Sequence, residues 1–238
     1  HSAGRAARYA VDEAREDVAG ELGCKPGEVV FTSGGSEADN QALRTAAAWG
    51  QAHGRTRIVS SQIEHPAILN TLSELMIEGF SVTLLAPSAE GIVSVEDIAQ
   101  AMGPDVCALS LMAVNNEVGT VQPFQKAAQL AHEAGALFVL DAAQTAGAIP
   151  LNMAALGVDV LCFTGHKSLL GPQGTGGLIA APGVEIPALL EGGTGIHSFD
   201  ERQPAGMPDS LEAGTLNAHG LAGLAAGVAY LQRTGVVE

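Results

Sequence analysis

Short apolar runs alternate with segments of helical spacing from Val29 to Phe163, and this alternation restricts the chain to few folds. Strands that alternate with helices form a mostly parallel sheet covered on both faces. Aromatic residues make up 4% of the chain, so Ala, Val, Leu and Ile must build the core. The pattern therefore predicts one α/β domain. The predicted strands are residues 28–31, 57–60, 80–85, 106–114, 136–140, 158–163 and 177–181, and the predicted helices are residues 1–22, 67–77, 95–102, 123–134 and 218–231.

An acid and an amine follow two of these strands. Asp141 comes directly after the run 136–140, and Lys167 stands just past the run 158–163. A lone lysine is usually solvated, but the ends of adjacent parallel strands open into one crevice, which would bring these two side chains together. A lysine that forms a Schiff base and an aspartate that pairs with a pyridinium nitrogen are what pyridoxal phosphate (PLP) requires. The pair predicts a PLP site.

A glycine-rich turn between the first strand and the next helix suits an anion. Residues 32–38 read Thr-Ser-Gly-Gly-Ser-Glu-Ala, and a helix with Ala42 and Leu43 follows. Backbone N–H groups at a helix start bind phosphate, and the hydroxyls of Ser33 and Ser36 would add donors. Helix capping would explain the same residues. No Gly-Lys-Ser/Thr or GxGxxG pattern is present, which argues against a P-loop and an NAD-binding oxidoreductase.

Polar side chains follow two further strands, and each of them allows either a structural role or a role at a cofactor. His65 stands between a strand and a helix, where it would cap the helix or lie over a cofactor ring and move protons. Asn115 and Asn116 follow the run 106–114, where asparagine would shape a turn or hydrogen-bond a ring oxygen. The sequence leaves both alternatives open.

Charge and composition exclude several partners. The net charge is −15 with no Lys/Arg cluster, so neither nucleic acid nor an anionic membrane is an expected partner. No apolar run approaches the roughly 20 residues of a membrane span, and no signal-peptide pattern follows His1, so we expect a cytoplasmic protein without a metal site. Cys24, Cys107 and Cys162 are too few and too scattered for a disulfide framework and are expected to be reduced.

Six motifs, named in chain order at the end of this paragraph, resemble the class V aminotransferase family, in particular its cysteine desulfurases and selenocysteine lyases. They cover nearly the whole chain, and the Asp-x-x-Gln and His-Lys pieces are the most specific. Ser36 stands where many members have Thr, and Thr164 where many have Ser, so both keep a hydroxyl. The motifs are Thr32-Ser33-Gly34-Gly35-Ser36-Glu37, Glu64-His65-Pro66, Asn115-Asn116-Glu117-Val118-Gly119, Asp141-Ala142-Ala143-Gln144, Thr164-Gly165-His166-Lys167 and Glu212-Ala213-Gly214-Thr215.

The resemblance implies a fold-type I PLP-dependent transferase large domain, with a mostly parallel seven-stranded sheet covered by helices. It makes Lys167 the Schiff-base lysine, Asp141 the pyridinium partner and His65 the stacked, proton-moving ring. Gln144 and Asn116 would contact the ring oxygen or the substrate. The resemblance assigns the phosphate to Gly35, Ser36, Thr164 and His166, and it makes Thr194 the residue that a homodimer lends to its neighbour's phosphate.

The implied reaction converts cysteine to alanine and leaves a persulfide on the enzyme for a sulfur-acceptor protein; selenocysteine is the other implied substrate. Family members carry an N-terminal segment and a C-terminal small domain, and residues 1–238 resemble only the large domain, which by itself is expected to be inactive. None of the three cysteines stands where the family's nucleophile lies. The alternatives are another class V PLP enzyme, an aminotransferase or a lyase, and a cofactor-binding piece without turnover.

Overall fold

Seven strands form one sheet in the computed structural model, which describes residues 2–193, 204 and 206–236. They are β1 (Val29–Thr32), β2 (Arg57–Ser61), β3 (Ser81–Leu85), β4 (Val106–Met112), β5 (Leu137–Asp141), β6 (Val160–Thr164) and β7 (Gly176–Ala180). Their order is β1-β7-β6-β5-β4-β2-β3. All neighbours are parallel except that β7 is antiparallel to both β1 and β6. The predicted mostly parallel seven-stranded sheet is confirmed.

Helices cover both faces of this sheet, as predicted. They are α1 (Ser2–Leu22), α2 (Gly35–Ala52), α3 (Pro66–Ile77), α4 (Val95–Ala101), α5 (Phe124–Glu133), α6 (Met153–Leu156) and α7 (Ala218–Thr234), with a 3-10 turn at Pro26–Glu28. One apolar cluster joins α2 and α3 to one face, and a larger cluster joins the other five helices to the opposite face. The short helix α6 was not predicted. Among the described residues, no helix has the length and apolar character that crossing a bilayer requires.

Small residues let α2 approach the sheet closely. Ala38, Ala42 and Ala46 are fully buried on the side of α2 that packs against the strands. At the start of this helix, a Cβ on Gly176 of β7 would lie 2.6 Å from the Cα of Gly34, so only glycine fits there. This close contact fixes the beginning of α2 over the sheet edge.

The carboxyl ends of six strands share that edge. β2, β3, β4, β5 and β6 run parallel, and β1 runs the same way because β7 is antiparallel to both β1 and β6. The strands themselves are apolar and buried, as β6 illustrates from Val160 to Phe163. Polar side chains therefore gather where the strands end, which is where open α/β sheets bind ligands.

A buried ion pair fastens the first helix to the segment before α7. Arg15 of α1 donates from two nitrogens to the two carboxylate oxygens of Glu212, each at 2.8 Å. The backbone N–H of Phe31 donates to the same carboxylate at 2.7 Å, and the Arg15 guanidinium lies 4.7 Å from the Phe31 ring centre. Both charged residues are only 5% exposed. Each oxygen of this carboxylate has a partner, as a buried charge requires.

Candidate active site

A cavity of about 170 Å³ opens at the carboxyl edge of the sheet. It brings together every described residue to which the family resemblance assigned a catalytic or cofactor-binding role. Thr194, predicted to reach a neighbouring subunit, lies outside the described residues. The cavity is lined by Gly35, Ser36, Asp39, His65, Met112, Asn116, Asp141, Ala143, Gln144, Thr164, His166 and Lys167.

Asp141 is the last residue of β5 and is 5% exposed. Its Oδ1 accepts a hydrogen bond from the backbone N–H of Ala143 at 2.8 Å. Burial raises the pKa of this carboxyl, whereas the Ala143 N–H and the positive charges of Lys167 and His65 oppose that rise. Asp141 is thus a buried acid whose anionic form is stabilised by a backbone hydrogen bond and by the charge of Lys167.

Lys167 follows β6 in a tight turn and is half-buried. The turn is closed by hydrogen bonds from the N–H of Leu170 to the Lys167 carbonyl at 3.0 Å and from the N–H of Gly171 to the Gly165 carbonyl at 2.7 Å. Leu170 adopts a φ of 59°, a conformation that costs a non-glycine residue about 1–2 kcal/mol. The turn therefore fixes the backbone from which the Lys167 side chain reaches the cavity.

His65 caps a helix and also lies at the cavity. It is the N-cap of α3, where its Nδ1 accepts a hydrogen bond from the N–H of Ala67 at 3.1 Å. It also lines the cavity. Because Nδ1 is an acceptor, the neutral imidazole carries its hydrogen on Nε2, and Nε2 is the atom left to exchange protons.

The start of α2 forms one end of the cavity. Gly34, the N-cap, has no side chain with which to cap the first turn, so backbone N–H groups there stay available to a ligand. Gly35 lies against Thr164, whose Oγ1 is 3.0 Å from Nδ1 of His166. Ser36 is exposed beside them. Hydroxyl, imidazole and backbone groups thus surround one end of the cavity.

Ser33 does not belong to this end, contrary to the sequence expectation. Its hydroxyl donates to the Glu37 carboxylate at 2.5 Å, and its backbone N–H donates to the same oxygen at 2.8 Å. Both residues line a separate groove beside Leu211 and Glu212. The expectation was wrong because a capping interaction between Ser33 and Glu37 already uses this hydroxyl.

The two adjacent asparagines have different roles. Asn115 shapes the turn after β4: its Oδ1 accepts from the N–H of Glu117 at 2.9 Å and of Val118 at 3.0 Å. Asn116 lines the cavity and donates to the Glu117 carboxylate at 2.8 Å. Gln144 lines the cavity from the turn after β5. Asn116 and Gln144 therefore offer amide groups to a bound molecule.

Sequence reasoning missed Asp39, Met112 and Ala143, which also line the cavity. Asp39 is 2% exposed, and its Oδ1 has no hydrogen-bond partner. Burial raises the pKa of Asp39 well above its usual value, and the nearby charge of Asp141 raises it further. The signal available in the sequence was spacing, because Asp39 stands three positions after Ser36 and so on the same side of α2.

The strand order, the antiparallel β7 and the lysine and aspartate at the carboxyl edge define a fold-type I α/β protein. The chain belongs to the aminotransferase class-V family, whose family model matches residues 1–238. The recognition made from the motifs is confirmed.

The curated relatives that match this chain are named as cysteine desulfurases. The chain is 38% identical over 232 residues to "Cysteine desulfurase IscS" from Serratia proteamaculans (strain 568), and the same figures hold for the protein of that name from Escherichia coli O9:H4 (strain HS). In both cases the match covers 97% of this chain and 54% of the relative. The chain thus spans about half the length of the curated relatives that it matches.

Solved structures agree with this fold. The apo structure of a cysteine desulfurase from Thermococcus onnurineus NA1 superposes with a TM-score of 0.91 at 31% identity, covering 100% of this chain and 60% of that one. A structure titled "SspA in complex with cysteine" superposes with a TM-score of 0.85 at 32% identity, covering 97% and 63%. The similarity extends over almost the whole described chain.

Proposed function

We propose that residues 1–238 are the PLP-binding large domain of a cysteine desulfurase. The observation that carries this proposal is a single cavity with the Lys167 amine and the buried Asp141 carboxyl together with an uncapped helix start. The names of the relatives and the cysteine-bound SspA structure support the choice of substrate. Selenocysteine differs from cysteine in one atom and remains a second substrate of the same class.

The residues present fit this cofactor. The start of α2 and the groups of Ser36, Thr164 and His166 would hold the phosphate, and Gly35 leaves space that a larger residue would fill against Thr164. The Asp141 carboxylate would pair with the pyridinium nitrogen, and Asn116 and Gln144 would contact the ring oxygen or the substrate. When bound, PLP supplies an aldehyde that bonds to amines and a pyridinium ring that accepts an electron pair.

Protons would move at two named atoms. The Lys167 Nζ would first bond to the cofactor aldehyde and, once the substrate amine displaces it, would accept the substrate's α-proton as a general base. Nε2 of His65 would carry a second proton, since Nδ1 is occupied by the Ala67 N–H. Asp141 would hold the pyridinium proton in place throughout. Each role uses a group that lines the cavity.

The sulfur nucleophile would come from outside these 238 residues. Burial raises the pKa of Cys24 to about 12 and of Cys107 to about 11, and it raises the pKa of Cys162 well above its ordinary value. Such thiols stay protonated at neutral pH and do not attack. The proposal therefore includes a small domain with the reactive cysteine, and a piece limited to residues 1–238 would bind the cofactor without turnover.

The proposal also includes a cytoplasmic homodimer that passes sulfur to an acceptor protein. The three cysteines are free thiols, which is typical of a reducing compartment. The homodimer rests on the resemblance of Thr194 to a residue that serves the neighbouring subunit, and its test is the mass of the full-length protein in solution.

The test is covalent trapping of the cofactor on the full-length protein. PLP followed by borohydride should leave a reduced adduct on Lys167, identified by peptide mapping, and Lys167→Ala should lose the adduct and the visible absorption band. Lys126→Ala, at an exposed lysine of α5, is the matched control and should keep both. An adduct that persists in Lys167→Ala would refute the assignment.

Substrate identity is tested with the same protein. Incubation with cysteine and a thiol reductant should release sulfide and alanine in equal amounts. A keto acid that retains the sulfur, with the amino group passed to an added keto-acid acceptor, would identify an aminotransferase. Sulfide released with pyruvate and ammonia in place of alanine would identify a lyase.

A further inference from the structure

Two buried acids share the cavity, although the proposed chemistry uses only one of them. Asp39 reaches the cavity from α2 and is 2% exposed, whereas Asp141 reaches it from β5 and is 5% exposed. Burial and the charge of Asp141 both act against the ionisation of Asp39. Two carboxyls that share a site of low dielectric favour a state in which one of them keeps a proton.

The surroundings of the two carboxyls differ. Asp141 has a backbone donor, the Ala143 N–H at 2.8 Å, and the charges of Lys167 and His65 both favour its anion. Asp39 has an Oδ1 without any partner, and the charges of two neighbouring acids, Asp141 and Glu64, act against its ionisation. Of the groups that act on Asp39, the Cys162 thiol, as a hydrogen-bond partner, and the Lys167 amine, by its charge, favour the anion.

We propose that Asp39 is a positioning residue that keeps the proton of this pair, so that Asp141 alone carries the negative charge that faces the pyridinium nitrogen. The inference rests on the proposed PLP site. A neutral Asp39 acts through Asp141: it keeps a second buried anion away from the carboxylate that must stay ionised.

The first experiment needs no cofactor. It follows the thermal unfolding of the full-length apoprotein against pH for the wild type and Asp39→Asn, which keeps the shape and cannot ionise. An acid whose pKa is raised by folding binds more protons in the native state, so the wild type loses stability as pH rises above the unfolded value of about 3.9. The Tm of Asp39→Asn minus that of the wild type should therefore increase by roughly 2 °C or more for each pH unit between pH 5 and 7.

An infrared spectrum of the same apoproteins gives an independent readout. At pH 7 the carbonyl-stretch band of protonated carboxylic acids should be weaker in Asp39→Asn than in the wild type, whereas the contribution of the protonated Glu64 should remain in both proteins. A Tm difference that does not change with pH, together with equal infrared spectra, would overturn the inference even if both proteins fold well.

The second experiment measures PLP affinity at pH 7. Asp39→Asn should bind within about twofold of the wild type, whereas Asp141→Asn, which removes the charge, should bind at least about tenfold more weakly. Equal weakening by both variants would mean that Asp39 carries charge, which overturns the inference. Failure of the wild type to bind PLP at Lys167 would instead refute the proposed function, and the pH dependence of the apoprotein would still decide the protonation of Asp39.

Discussion

The molecule treats its buried carboxyl groups in two opposite ways. At the Arg15–Glu212 pair, both carboxylate oxygens accept from one guanidinium at 2.8 Å and a backbone N–H adds a third bond. At the cavity, Asp39 has an oxygen without a partner. The contrast indicates two different roles. The Arg15–Glu212 pair joins α1 to the segment before α7, whereas Oδ1 of Asp39 remains available to a ligand or a proton.

The polar region behind the cavity is larger than one residue. Among the described residues, four buried side-chain oxygens lack hydrogen-bond partners, and they belong to Asp39, Ser60, Glu64 and Ser110. In β2 and β4, the apolar residues next to Ser60 and Ser110 belong to the larger apolar cluster on the opposite face. Because successive side chains of a strand point to opposite faces, both serines lie on the face that α2 and α3 cover. Such oxygens are usually satisfied by ordered water or a ligand, so this layer is suited to hold water beneath the cavity.

Removing the satisfied carboxylate should have the largest effect on stability. Glu212→Ala leaves the Arg15 guanidinium buried without its counter-ion and is expected to lower the free energy of unfolding by about 3–5 kcal/mol, measured by denaturant titration of the full-length protein. The double variant Arg15→Met/Glu212→Met should recover much of that loss because it removes the unpaired charge. A single variant within about 1 kcal/mol of the wild type would contradict the role given to this pair.

Glu64 sharpens the other side of the comparison through its pH dependence. Burial raises the pKa of Glu64 to about 8. The Ser61 hydroxyl donates to Oε1 of Glu64 at 2.5 Å and, by favouring the anion, opposes this rise. The native state then holds a proton that the unfolded chain releases near pH 4–5, so stability falls as pH rises between that value and pH 8. The free energy of unfolding of Glu64→Gln, relative to that of the wild type, should therefore rise by about 1.4 kcal/mol per pH unit in this window.

The measurement is the free energy of unfolding at pH 5, 6 and 7 for both proteins. Glu74→Gln, at an exposed position of α3, is the matched control and should show a difference from the wild type that does not change with pH. A flat difference for Glu64→Gln as well would mean that Glu64 is ionised in the native state.

An exposed ion pair should have the smallest effect. Arg44 and Glu78 approach to 3.0 Å, with side chains 35% and 45% exposed. A double-mutant cycle with Arg44→Ala and Glu78→Ala is expected to give a coupling of about 0.2–0.5 kcal/mol that falls with added salt. A coupling as large as the loss in Glu212→Ala would show that burial is not what separates the two kinds of site.

Local patterns predicted most of the fold and most of the cavity. The strands follow from apolar runs that turn-forming residues end, and Asp141 and Lys167 come together because β5 and β6 are parallel neighbours. His65, Asn116 and Thr164 likewise stand at strand ends, so the sheet direction alone brings them to one edge. For these residues, position along the chain determines position in space.

The rest depended on packing that no local pattern records. Asp39 enters the cavity because α2 lies on the sheet with one particular rotation, which Gly176 and the alanines of α2 set together. The contact between Arg15 and Glu212 joins residues 197 positions apart. Ser33 was misplaced because its capping bond to Glu37 competes with the proposed anion site, and α6 is too short for a periodic signal.

The antiparallel strand β7 has a consequence for the order of folding. β1 lies at the sheet edge and pairs with β7, so it must wait for most of the chain before it finds its neighbour. Contacts between such distant segments form slowly because a long loop has to close first. During synthesis, β1 and the start of α2 would therefore join the sheet only after Gly176–Ala180 has left the ribosome, and the end of the cavity formed by Gly35 and Ser36 would be completed last.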